Sequence, residues 1–97
     1  MIQATVRPYG VRVSGHAGYG PEGQDIVCAA VSALVYALAA QLAHDGILDV
    51  CQLEEGDAIL YTSDTERARP YLDMVRSGFK LLEESYGNFL KFYGEGE

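Results

Sequence analysis

Ninety-seven residues, 48% of them apolar, make a single domain over residues 1–97 with one core, near the small end of what folds alone. Fourteen acidic against seven basic residues leave a net charge of −7. That balance argues against a nucleic-acid partner, which needs clustered Lys and Arg to neutralise phosphates. It fits a basic partner or serves solubility alone, and both readings stay open.

No basic n-region followed by an apolar h-region is present, so no signal peptide is expected. Two cysteines are too few for a disulfide framework, and a Cys28–Cys51 bridge is the minor alternative to free thiols in a reducing, cytoplasmic setting.

In chain order, Ile2–Arg7 alternates apolar and polar residues, the period of a half-buried strand. Pro8-Tyr9-Gly10 makes a turn, and Val11–Ser14 alternates again, so residues 1–16 read as a hairpin. Strict alternation would point His16 away from the face carrying Val11 and Val13, unless Gly15 ends the strand or bulges it. Gly18, Gly20, Pro21 and Gly23 follow, too irregular for regular structure. This stretch is either an ordinary connector or a flap over a substrate.

Asp25 then reads as an N-cap for a helix over residues 26–43. Cys28 falls near its third position, where the helix dipole and free amides favour an anion. The helix is apolar almost all round. Its length would suit a membrane span, but its alanine content and its flanks, without Lys or Arg, argue against one. A helix apolar on every side is buried on every side, which predicts a second subunit against it. His44 complements the dipole in the last turn, and Gly46 stops the helix.

Ile47–Leu53 and Ala58–Thr62 form a second hairpin about Glu54-Glu55-Gly56-Asp57, with Cys51 expected in the core. Ser63-Asp64-Thr65-Glu66 has capping-box spacing. After it, Ala68, Leu72, Val75, Phe79, Leu82 and Tyr86 recur on one side of an amphipathic helix. Pro70 is expected to kink that helix or delay its start. Gly87 closes it, Asn88–Tyr93 makes a final strand, and Glu95-Gly96-Glu97 forms a frayed acidic tail. The order ββαββαβ predicts an α+β, two-layer sandwich: a mostly antiparallel sheet with two helices on one face.

His16 at a strand end and Cys28 at a helix start are carried by rigid elements and can converge across the loop. In that arrangement His16 takes the Cys28 proton, and the thiolate attacks a carbonyl. Amides of the helix start and the loop hold the oxyanion, and His16 then protonates the leaving amine. Ser32, one turn beyond Cys28, either steadies the sulfur, lines the pocket or satisfies a backbone carbonyl. Asp25 caps the helix, orients His16, or does both. No Asn or Asp is placed as a third member, so the site is read as a dyad. Two His and two Cys without ligand spacing predict no metal.

The run Gly15-His16-Ala17, then Gly23-x-Asp25-Ile26-Val27-Cys28-Ala29-Ala30-Val31-Ser32, closely resembles the signature of the bacterial ribosomal-processing cysteine proteases, the Prp family. Size and element order resemble that family along the whole chain, whereas residues 46–97 match in pattern only. The resemblance implies a small cytoplasmic homodimeric endopeptidase without a cofactor. Its implied substrate is a precursor of large-subunit ribosomal protein twenty-seven, from which a short N-terminal extension is removed. It places the nucleophile on Cys28, its partner on His16, and supporting roles on Gly15, Asp25 and Ser32. Gly18, Gly20 and Gly23 would form the substrate loop. Two rivals remain: a non-catalytic ribosome-associated or protein-binding homodimer, and a different thiol hydrolase using the same dyad. The presence of both Cys28 and His16 favours an enzyme.

Overall fold

The structure, a computed structural model, describes residues 1–21 and 24–94. The expectations for Gly23 and for the tail at Glu95-Gly96-Glu97 therefore lie outside the described residues. Strands β1 (Ile2–Arg7) and β2 (Gly10–Ser14) precede helix α1 (Ile26–His44). After it come β3 (Leu48–Glu54), β4 (Asp57–Thr62), helix α2 (Thr65–Tyr86) and β5 (Leu90–Gly94). The sheet order is β3-β4-β2-β1-β5, antiparallel throughout except for the parallel β1–β5 pair. The α+β, ββαββαβ expectation holds.

Register explains the core. Ala4 pairs with Val13, Val11 with Leu60 and Ile2 with Leu90, so these side chains share one face. All are buried there. Onto that face α1 lays Val27, Val31, Val35, Leu38 and Leu42, and α2 lays Ala68, Leu72, Val75 and Phe79. Phe79 is 0% exposed, and truncating such a core phenylalanine to alanine costs about 3–5 kcal/mol.

Several local expectations change. Helix α1 is long and apolar enough to cross a membrane. It is not buried on every side of this chain, because Ala29, Ala33, Tyr36, Ala37 and Ala40 are exposed opposite its sheet-facing stripe. Cys51 is exposed rather than in the core. It pairs with Leu60 on the helix side of the sheet, on the edge strand β3. Cys28 and Cys51 are both free.

The N-cap of α2 is Asp64, not Ser63, with its carboxylate accepting from the Arg67 amide at 3.0 Å. Ser63 is still tied to the preceding structure through its amide and the Ile47 carbonyl, while the Thr62 hydroxyl accepts from the Asp64 amide. Pro70 does not delay the helix, which starts at Thr65. The carbonyl it leaves without an amide is that of Glu66, an exposed residue that water can reach. The final strand begins at Leu90 because Phe89 still donates to the Tyr86 carbonyl in a turn off the helix.

Candidate active site

Gly15 decides where His16 goes. Strand β2 ends at Ser14, and Gly15 takes φ +90°, a conformation that side chains disfavour, with its Cα packed against the Met1 carbonyl. The simple alternation therefore breaks at this residue. Ala17 turns into the core, 5% exposed, while His16 stays exposed beside the cavity.

Asp25 organises the other wall. Its Oδ1 accepts from the amides of Val27 and Cys28, both at 3.0 Å, so it caps α1 as its residue type predicts. Its Oδ2 accepts from the Tyr19 amide at 3.1 Å, tying the loop to the helix start. These donors, the Cys28 amide foremost, hold its carboxyl below the ordinary value near 3.8. No hydrogen bond joins Asp25 to His16 among the described residues, so capping is the role the geometry supports. Tyr19 itself packs edge-on against Phe89 and Tyr86, with centroids 5.1 and 5.6 Å away.

Cys28 is half-buried, and the Ala17 amide points at its Sγ from 3.5 Å. His16, Gly18, Gly20, Asp25, Cys28, Ser32 and Glu55 together line one open cavity of about 370 Å³. An adjoining cleft of about 290 Å³ runs from Cys28 and Ser32 along α1 to Tyr36, with Leu53 and Glu54 on its other wall. Ser32 is exposed and makes no hydrogen bond among the described residues, so it lines the cavity rather than satisfying a backbone carbonyl.

The helix-start amides expected to hold an oxyanion are occupied. Those of Val27 and Cys28 donate to the Asp25 carboxylate, and that of Ala29 donates to the Asp25 carbonyl. Local patterns do not announce that the β3–β4 turn, with Glu55 and Gly56, borders the site. The usable signal was register: Ser14 pairs with Asp57, which carries Gly15 and His16 alongside Gly56. Among the described residues, no group of three His, Cys, Asp or Glu side chains converges to hold a metal.

The profile of a family described as cysteine protease Prp matches residues 1–91 of this chain. The chain belongs to that family. It is similar to the ribosomal processing cysteine protease Prp of Mycoplasma pneumoniae, 32% identical across 95% of this chain and 93% of that one. Among solved structures, SMU.848 from Streptococcus mutans is 27% identical, with a TM-score of 0.74 and coverage of 97% and 93%. The essential ribosomal processing protease Prp of S. aureus, solved with a covalently linked product peptide, has a TM-score of 0.79. At 24% identity over 97% of both chains, the latter shows the shared fold. The Prp fold thus extends along the whole described chain, and cysteine protease is the family's activity.

Proposed function

We propose that this chain is a Cys-His endopeptidase that removes a short N-terminal extension from a large-subunit ribosomal protein. The observation that carries it is the convergence of His16 and Cys28 on one open cavity, in a chain of the Prp family. The names of its Mycoplasma pneumoniae and S. aureus relatives supply the ribosomal substrate.

In the first half-reaction His16 accepts the Cys28 thiol proton, and Sγ attacks the scissile carbonyl to form a tetrahedral oxyanion. That intermediate collapses to a thioester as the amine leaves with the proton from His16. Water, deprotonated by His16, then attacks the thioester, releasing the new carboxylate and restoring the thiol. Because Asp25 occupies the Val27, Cys28 and Ala29 amides, the oxyanion donors come from the loop. Ala17 already aims its amide at the sulfur, and the Gly18 and Gly20 amides have no partner among the described residues. Each well-placed donor contributes about 3 kcal/mol to the transition state.

The cleft past Leu53 and Tyr36 fits an extended peptide with apolar side chains, and the net charge of −7 attracts a basic one. The exposed alanine-rich side of α1 supports a homodimer, and a reducing cytoplasmic setting suits the two free thiols.

The test mixes the enzyme with the ribosomal protein carrying its extension and reads the new N-terminus by mass spectrometry. Cleavage ahead of the mature sequence is expected, with Cys28→Ala and His16→Ala each slower by on the order of 10⁴-fold. If the extended protein stays intact while small thioesters or amides are hydrolysed, the thiol-hydrolase reading replaces this one. Gly20→Pro, which removes one loop amide, should slow cleavage while leaving the fold intact; unchanged rates would refute the loop's part in it.

A further inference from the structure

His16 is exposed and has no hydrogen-bond partner among the described residues, so packing is the contact left to orient its ring. The neighbour that packs against it is Gly56, in the β3–β4 turn. A Cβ built on Gly56 would stand 2.7 Å from His16 Nε2, 3.1 Å from Cε1 and 3.4 Å from Cδ2. Those three atoms form one edge of the imidazole, which therefore rests directly on the bare Cα. The same residue also holds the chain beside His16: its carbonyl accepts from the Gly15 amide at 2.9 Å. Register explains the meeting, because Ser14 pairs with Asp57 and the next step along each strand brings Gly15 and His16 to Gly56.

We infer that Gly56 is a positioning residue for the reaction, a seat for the His16 imidazole that works only without a side chain. This rests on the reading of His16 as the general base. In a site whose base is held by packing alone, the seat sets how far the ring stands from the Cys28 sulfur. Misplacement of a reacting group by about 1 Å costs about a hundredfold in rate. Gly56→Ala is therefore expected to lower kcat by about that factor, and because Gly56 also lines the cleft, KM is read separately.

Backbone strain must be separated from ring displacement, and this chain contains its own control. Gly56 has φ +76°, so any side chain there is strained whatever the space. Gly46 has φ +72°, and a Cβ added to it meets nothing within 4 Å. Gly46→Ala thus carries the same strain without touching the histidine, and lies at the far end of α1.

The experiment compares Gly56→Ala, Gly46→Ala, His16→Ala and the double variant His16→Ala/Gly56→Ala. Its readouts are steady-state kinetics, the pH profile of Cys28 alkylation by iodoacetamide, and thermal unfolding. Support would be a kcat loss and an altered alkylation profile in Gly56→Ala but not Gly46→Ala, with no further effect of Gly56→Ala once His16 is alanine. The double variant should also recover the unfolding temperature that Gly56→Ala loses beyond Gly46→Ala. This holds the test open even if Gly56→Ala alone folds poorly. Equal kinetics in Gly56→Ala and Gly46→Ala, or a double variant no more stable than Gly56→Ala, would overturn the seat. Full activity in His16→Ala would instead overturn the dyad, a separate result.

Discussion

Both ends of α1 are finished by an aspartate, and the two are used in opposite ways. At the N-terminus the Asp25 carboxylate accepts from backbone amides of Val27, Cys28 and Tyr19. At the C-terminus Asp45 is held by side chains: the Tyr71 hydroxyl at 2.5 Å, the Gln41 amide at 3.1 Å and Arg67 at 3.6 Å. The first arrangement fixes a loop and a helix start while leaving a cavity open beside Cys28. The second binds α1 to α2 and opens nothing. One element thus carries a reactive end fixed chiefly by main-chain amides and a structural end fixed chiefly by side chains.

The sharpest way to break this comparison uses the two thiols. Cys51 is exposed and Cys28 only half-buried, so accessibility alone makes Cys51 the faster thiol toward iodoacetamide. Reactivity conferred by the site predicts the reverse, by roughly tenfold, since the thiolate is the nucleophile. Peptide mapping after brief alkylation reads the ratio, and preferential labelling of Cys51 would place no special chemistry at the N-terminal end.

Next in size is an exchange of function between the ends. Asp25→Ala frees the loop from the helix start and should lower kcat/KM about tenfold through lost orientation. Tyr71→Phe should leave kcat/KM unchanged while lowering the unfolding temperature by several degrees. Equal effects of both substitutions on turnover would erase the distinction.

The smallest effects concern pH, and their signs differ. Asp25 and Asp45 are both held below the ordinary 3.8, Asp45 chiefly by the Tyr71 hydroxyl. The stability they contribute is present above that value and lost as pH falls through their depressed values. Tyr71 is pushed above its ordinary 10.0 by its bond to Asp45, so its contribution is present below pH 10 and lost as pH rises through the raised value. Thermal melts across pH should therefore show an alkaline limb that Tyr71→Phe abolishes and Asp25→Ala leaves alone.

Much of this was legible in the chain. Alternation marks β1 and β2, Asp25 announces α1, and the apolar repeat from Ala68 to Phe79 gives the buried side of α2. His16 and Cys28 were readable because each lies at the end of an element. What escaped is tertiary. The direction of His16 depends on Gly15 being pressed against the Met1 carbonyl, and its support on a turn forty residues away in sequence. Cys51 has a core-like residue type on the core-facing side of β3, yet it lies exposed on an edge strand, a position that only the tertiary arrangement reveals. The occupied amides at the helix start followed from Asp25 itself, whose capping role removes the donors that the same helix end offers an oxyanion.

The parallel pairing of β1 with β5 also bears on how this protease assembles during synthesis. Strand β1 is flanked on one side by β5, with Ile2 donating to the Phe89 carbonyl and paired with a fully buried Leu90. The main chain at Met1 that packs against Gly15 is continuous with that strand. Residues 2–7 leave the ribosome well before residues 90–94, which must follow before that edge of β1 is covered. So long a loop closes late and slowly, because the chain entropy is lost before the contact is gained. The nascent chain therefore emerges with β1, the strand that flanks β2 and through it His16, open on one side until β5 has been made.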